Sequence, residues 1–599
     1  MKFKKIFCVI LSAILFAVCI PIYSSAEEAI TYVEDEVIFE YDPSLTRARR
    51  TRNDFLEELG CIGITELSEL ETYDEPQITT SAVYSEPTVY VAKISGDVEE
   101  TCRELEQLDG IAYAEPNYLL QTDSFEIPTE VTNENNIYKN YQKWYINNIL
   151  HLPEAWESYE TAGDNVTIAV IDNGFYTEAT DFSTKLWTDA NGNHGKNLAD
   201  DNFDIGPVYK PNGETYLDTA HGTNVAGIIG MSSNGSNGIG AAYNAELMLL
   251  KVANNAGGNS ASTTAITADS VASAIYYAKR YGAQIITMSL GLLGTSPTVI
   301  KNAVNTAYYD GIVVVSAAGN NATATSEQLC YPAAESNVIG VMATDKTDTS
   351  SLTYFSNYDT DGGKYYDVAA PGYSIIGCGV QKGKFTTMMG TSQATPLVAA
   401  CIALFISAYP GTRVDKIYEA VRNSSKNQAI SNSTVSTEKV YKYDMMNALD
   451  LLDYGKIKPE IEFNLATNIV HDPKTGYIYG LDEGYADIAS YITVKSGTGT
   501  TEFIPTSLGN GTGSALNVYM LDGTLYKSYT VVLFGDINGD CKIDGSDAVL
   551  TRCIASGTLA TDTCIKYAAD VDFDGEPTET DAVQISEHAI RLNEIPQMR

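Results

Sequence analysis

The sequence predicts a multidomain chain centred on an α/β unit with a parallel sheet. An α+β unit precedes it, and a small β-rich segment and an α-helical unit come after it. Three observations carry this. Residues 141–454 alternate short Val/Ile/Ala runs with helical stretches, the pattern of a parallel sheet covered on both faces. Residues 27–140 mix two strand-like and two helix-like stretches, and residues 534–599 contain an acidic loop–helix unit twice. Composition shifts place the boundaries at 1–26, 27–140, 141–454, 455–533 and 534–599.

The start reads as a secretory signal. Lys2, Lys4 and Lys5 precede the apolar run Ile6–Ile20, and Ser24-Ser25-Ala26 offers small residues before a cut at about Glu27. No later apolar run reaches the roughly 18 residues of a membrane span. With 38 Lys and Arg against 77 Asp and Glu, net −39, the chain lacks the basic surface that nucleic acid requires. Ten cysteines fall in no regular spacing, which argues against a disulfide framework; one bridge among Cys330, Cys378 and Cys401 and one among Cys541, Cys553 and Cys564 stay open. In 27–140, Tyr32–Tyr41 and Thr88–Ile94 are strand-like and Thr46–Leu59 and Asp97–Leu108 helical. The polar stretch 121–140 has no pattern and suits a linker that is cut.

The central unit holds the chemistry. Gly390-Thr391-Ser392 opens a nearly all-apolar run ended by Pro410-Gly411, a helix buried on all sides with Ser392 at its N-terminus. A serine hydroxyl becomes a nucleophile when a base adjoins it. Of five histidines only His221 starts a small-residue helix, His221-Gly222-Thr223-Asn224-Val225-Ala226-Gly227, that lets another backbone approach closely. The base needs a buried carboxylate, and Asp172 ends the apolar strand Val166–Ile171. Asn320, in Ala317-Ala318-Gly319-Asn320, offers an amide donor to an oxyanion.

In this order Asp172, His221, Asn320 and Ser392, with Asp367–Gly372, resemble the subtilisin-like serine proteases (subtilases). The resemblance implies a serine endopeptidase that cleaves peptide bonds through an acyl-enzyme. It implies a substrate strand beside Ser289, Leu290 and Gly291 and a specificity-pocket wall of Ala317, Ala318 and Gly319, with Cys330 near the base. It also implies a Ca²⁺ site with ligands Gln142, Asp181 and Asn234; no organic cofactor is expected. Residues 27–140 resemble the inhibitory pro-domain of these proteases, whose end commonly reads Glu-Pro-Asn, here Glu115-Pro116-Asn117. Three residues depart from the family: Asn224 where a second His is frequent, Gln393 where Met is usual, and Leu397 for a frequent His.

Residues 455–533 alternate short strands with Gly/Thr/Asn turns and carry no chemical motif. After them, Asp536, Asn538, Asp540, Asp544 and Asp547 place oxygens at loop positions 1, 3, 5, 9 and 12, and Asp570, Asp572, Asp574 and Asp581 repeat positions 1, 3, 5 and 12. That spacing builds an EF-hand-like Ca²⁺ cage leading into a helix. The duplicated loop–helix resembles a dockerin, which implies a cohesin partner on a scaffold or cell surface and a cellulosome-like, extracellular setting. Cys541 stands at position 6, where a sharp turn favours glycine, so a weaker or slower first site is expected. Gly545-Ser546 and Glu579-Thr580 differ between the halves, which predicts a single cohesin orientation. The rival expectation, a non-catalytic dockerin-borne adhesin or spacer, is disfavoured by the complete triad and the pro-segment.

Overall fold

The computed structural model describes residues 32–46, 52–71, 87–122, 129–131, 137–178, 185–207, 221–232, 238–254, 265–346, 351–381, 383–425, 430–431, 442–443, 445–463, 468–485, 488–496 and 499–598. The expected signal segment, Asp181 and Asn234 lie outside the described residues.

The central unit is built on a seven-stranded parallel sheet in the order 368–371, 339–344, 313–317, 285–288, 167–172, 246–251 and 195–197. Its strands are buried on both faces, so they read as continuous apolar runs rather than alternating ones. Successive residues still alternate between two cores. Ile168 and Val170 face the helices 221–230 and 391–408, whereas Ala169 and Ile171 face helices 268–280 and 298–309. Helix Thr391–Ala408 is long and apolar enough to cross a membrane, but it is the core helix of this domain, with Leu397–Phe405 fully buried. Each such Leu, Ile or Phe contributes roughly 1.5–3 kcal/mol of burial.

The N-terminal unit is an antiparallel sheet, ordered 64–69, 88–94, 32–41 and 111–122. Val37 and Phe39 pack under helices Arg52–Cys61 and Val98–Leu105, the second capped by Asp97. Ile38, on the other face, joins the core of helices 268–280 and 298–309. Period-two patterning therefore glues this unit to the central one.

Residues 460–531 form a two-stranded sheet (460–463 with 492–496) and a five-stranded sheet ordered 470–471, 477–479, 525–531, 515–519 and 500–504. The five-stranded sheet shares one core with the C-terminal helical unit: Ile478, Leu516, Val531 and Phe534 pack with Ala548, Ile554, Ala568, Val571 and Ile585. All eight described cysteines are free thiols.

Candidate active site

Strand 167–172 delivers Asp172 at its carboxyl end, where parallel sheets gather reactive groups. His221 opens its helix directly against that loop. A Cβ on Gly222 would lie 2.5 Å from the Gly174 carbonyl oxygen and 3.0 Å from Asp172 Cβ, so only glycine allows the approach. His221 Nδ1 sits 2.8 and 3.0 Å from the two Asp172 oxygens, and both side chains are fully buried. A carboxylate only accepts, so Nδ1 carries the proton and Nε2 is the basic nitrogen.

Ser392 is the second residue of helix 391–408, which packs against the His221 helix. Its hydroxyl donates to the Ser289 carbonyl at 3.1 Å, while the Ser289 hydroxyl donates to the Ser392 carbonyl at 2.8 Å. The second bond follows from Pro396. Proline lacks the N–H that would bond four residues back, to the Ser392 carbonyl, and Ser289 supplies the donor instead. Neither Thr391 nor Ser392 caps this helix with its own side chain. Asn320 does so from outside: its Oδ1 accepts from Thr391 N at 2.9 Å and Thr391 Oγ1 at 3.1 Å. Thr391 thus fixes the Asn320 amide by its oxygen at the start of the Ser392 helix. The role of Thr391 in orienting Asn320 was not read from the sequence; the Gly-Thr-Ser triplet was its signal.

Ala317 ends a central strand, the buried Ala318 follows it, and Gly319 (φ 98°) turns away. A Cβ on Gly319 would lie 2.4 Å from Asn357 Nδ2 and 3.2 Å from Cys330 Sγ, which places the buried Cys330 directly behind Gly319. Strand 290–293 pairs on one edge with Cys330–Tyr331. Its other edge holds the chain's own N-terminal unit, with Leu290 opposite Thr122 and Gly291 opposite Gln121. Leu120 and Leu119 continue the pairing on strand 265–267, and Leu120 is buried. Residues 119–122 thus run as an antiparallel strand between two edges of the central unit. Beyond 128 the chain pairs again, Thr129–Val131 against Phe385–Thr387. Long-range backbone pairing of this kind leaves no side-chain signature, and neither strand partner was foreseen.

Two helix N-termini hold the N-terminal unit in place. Glu115 accepts from Thr298 N and Val299 N at 2.8 and 2.9 Å, and Asn117 donates to both Glu36 and Asp269 at 2.8 and 3.0 Å. Burial pushes the Glu115 carboxyl up, against the lowering by those two N–H groups. Burial also raises Glu36, assisted by repulsion from Asp269.

Of the expected Ca²⁺ ligands in the central unit, Gln142 is described. It is buried, and its amide exchanges two hydrogen bonds with the Ile239 backbone, 2.8 Å at Oε1 and 2.7 Å at Nε2. In the C-terminal unit, carboxylate oxygens of Asp570, Asp572 and Asp574 lie within 4.8 Å of one another, a spacing that suits a hard cation. Asp581 turns back to accept from Val571 N at 2.8 Å, as Asp547 does from Ile537 N at 2.8 Å. Asp536 is fully buried, and burial pushes its carboxyl up to about 6. Asn538, Asp540 and Asp544 accept from backbone N–H groups two residues on. Cys541 adopts φ 69°, the conformation that the loop demands at this position, where the second loop has Gly575.

Residues 163–440 match the Subtilase family and residues 534–588 the Dockerin type I domain. The thermophilic serine proteinase of Bacillus sp. (strain AK1) is 31% identical over 360 residues, covering 60% of this chain and 77% of that protein. Thermitase of Thermoactinomyces vulgaris is 34% identical over 278 residues, covering 46% of this chain and 86% of its own. Among solved structures, fervidolysin from Fervidobacterium pennivorans, described as a keratinolytic enzyme related to subtilisin, superimposes with a TM-score of 0.51 at 22% identity, covering 70% of this chain and 61% of that one; this likeness supports the fold alone. The chain belongs to the subtilase family of serine proteases and carries a type I dockerin domain.

Proposed function

We propose that this protease is made as an inactive precursor, exported, and delivered by its dockerin to a cohesin-bearing scaffold, and that Asp172, His221, Ser392 and Asn320 perform the hydrolysis. The observation that carries the proposal is the strand 119–122, whose Gln121–Thr122 lie along Leu290–Gly291, the edge where a substrate strand is expected, at the start of the polar stretch 121–140. A segment of the chain itself occupies the substrate's place, which is what an inhibitory pro-domain does.

The chemistry follows from the geometry. Ser392 Oγ turns about χ1 from the Ser289 carbonyl to His221 Nε2, a rearrangement common when substrate enters. As Oγ attacks the peptide carbonyl, its proton passes to Nε2, and Asp172 stabilises the resulting imidazolium through Nδ1–H. The oxyanion is received by Asn320 Nδ2 and Ser392 N–H. His221 then protonates the leaving amine, and a water molecule, deprotonated by the same nitrogen, releases the acyl group.

Calcium would be held by Asp570, Asp572, Asp574 and Asp581 in one dockerin loop and by Asp536, Asn538, Asp540, Asp544 and Asp547 in the other, where it neutralises clustered carboxylates and fixes the loop shape. In the protease domain Gln142 would supply one ligand beside the loop at Ile239, with Asp181 and Asn234 completing the set. Cohesin binding then determines where proteolysis occurs. The dockerin assignment and the apolar, lysine-led start of the chain support the localisation. A fluorophosphonate probe tests the nucleophile: the processed enzyme should be labelled at Ser392 and the Ser392→Ala variant should take up no label. Equal labelling of both would refute the assignment.

A further inference from the structure

The β-rich segment 455–533 carries no motif, yet it touches the first calcium loop with an intimacy that packing alone does not require. Asp536 accepts from two N–H groups of its own loop, Gly539 at 2.8 Å and Cys541 at 3.2 Å. A third donor comes from outside the loop: Thr512 N, 2.9 Å from Oδ2. The backbone at 511–512 lies so close that a Cβ on Gly511 would sit 1.9 Å from Asp536 Oδ2 and 2.5 Å from Cys541 N. Gly511 N and Thr506 Oγ1 both donate to the Gly539 carbonyl, at 3.2 and 2.8 Å.

The far side of the same loop is clasped as well. Gly484 N donates to the Cys541 carbonyl at 3.0 Å, and Ile543 N donates to Glu483 at 3.2 Å. These contacts account for the non-glycine at loop position 6. A side chain at φ 69° is strained, and here the Cys541 side chain is buried in the core that the segment and the dockerin share. The second loop has the same in-loop bond, Gly575 N to Asp570 at 3.0 Å, but its position 6 is not packed: Gly575 has no atom within 4 Å of where a Cβ would stand.

We propose that residues 455–533 are a scaffold for the first calcium loop, so that the two halves of the dockerin respond unequally to calcium. The first loop keeps its shape when the metal is removed, because backbone donors of the segment hold Asp536 and Gly539. The second loop takes its shape from the metal, which offsets the repulsion among Asp570, Asp572 and Asp574. The inference rests on calcium binding by the dockerin and adds a role for the segment before it.

The test is hydrogen exchange read by mass spectrometry on the full chain carrying Ser392→Ala, with calcium and with chelator, beside a calorimetric calcium titration. Chelation should speed exchange on the order of 100-fold in 570–589 and less than about 3-fold in 536–555. Adding Gly511→Val should make 536–555 respond like 570–589, whereas Tyr526→Ala, at a half-exposed strand position of the same segment, should not. If Gly511→Val fails to fold, Thr506→Val removes the hydroxyl that donates to the Gly539 carbonyl and should raise exchange in 536–555 upon chelation. Equal responses of both loops in the parent chain, with calcium heat present, would overturn the scaffold alone. Absence of calcium heat would overturn the calcium reading and the scaffold with it.

Discussion

Replacing Asn320 by alanine removes two functions at once, and a paired aspartate variant separates them. Asn320 Oδ1 accepts from the backbone N–H and the hydroxyl of Thr391, a fully buried residue at the start of the Ser392 helix. Alanine leaves that N–H unsatisfied, which costs about 1–3 kcal/mol of stability. It also removes the side-chain donor that we assign to the oxyanion, an interaction that would be made only in the transition state. Loss of such a donor in serine proteases, subtilisin included, costs about 2.7–4 kcal/mol, roughly 100- to 1000-fold in kcat with KM little changed. Asn320→Asp keeps the acceptor for Thr391, and a negative charge suits a helix N-terminus, so stability should hold. Its second oxygen would face the oxyanion and repel it, so the rate should fall at least as far. The assay is kcat and KM on a chromogenic peptide, with thermal unfolding measured in a Ser392→Ala background to prevent self-digestion. If alanine lowers stability but not kcat, or if aspartate keeps the parent rate, Asn320 is a helix cap and not an oxyanion donor.

Further changes have equally definite outcomes. Asp172→Asn should lower kcat by about 10⁴ because the amide no longer fixes the His221 tautomer; a loss under tenfold in steady-state kinetics would contradict the buried pair as described. Gln393→Met should stabilise the protease domain by about 1–3 kcal/mol in thermal unfolding, since Gln393 Oε1 is buried with no hydrogen-bond partner among the described residues and Nε2 makes only long contacts to Asn224 and Met388, at 3.5 and 3.7 Å; a lower Tm would refute this. Glu36 has its carboxyl raised above the ordinary 4.5 by burial and then by Asp269 across the interface. A raised acid favours the docked state where it is protonated, so that contribution is full below 4.5 and is lost as pH rises through the docked value. The freshly cut N-terminal unit should therefore inhibit more tightly in mild acid than at neutral pH, and Glu36→Gln should flatten that profile in an inhibition assay. Glu115→Ala, which uncaps helix 298–309, should weaken inhibition by about 1.5–3 kcal/mol, read as an earlier onset of activity after cutting.

Much of the site was legible because its constraints are local. Asp172 follows an apolar strand, His221 precedes glycines that let Asp172 approach, and Ser392 precedes a helix apolar on every side. Each of these leaves a mark in neighbouring residues. A substrate strand along Leu290–Gly291 was expected, but that Gln121–Thr122 of the chain itself lies there could not be read, since backbone hydrogen bonds are indifferent to side chains. The same holds for Thr512 N on Asp536. Short strands between turns were legible in 455–533, whereas the packing of Ala548, Ala568 and Ile585 against their core is a long-range fact. Cys541 looked like a defect in the loop; its burial against the preceding segment gives it a structural reason.

The most direct test of the central claim is the intact mass, over time, of the chain from Glu27 onward, expressed in calcium beside its Ser392→Ala variant. Strand 119–122 ends at the edge next to Ser289, whose carbonyl holds Ser392. The parent chain should lose its N-terminal unit by a cut between Thr122 and Thr129 and gain activity on casein, while the alanine variant stays whole. If both chains are cut at the same place, or both stay whole and inactive, then Ser392 does not process its own precursor and the proposed autoinhibited protease is wrong.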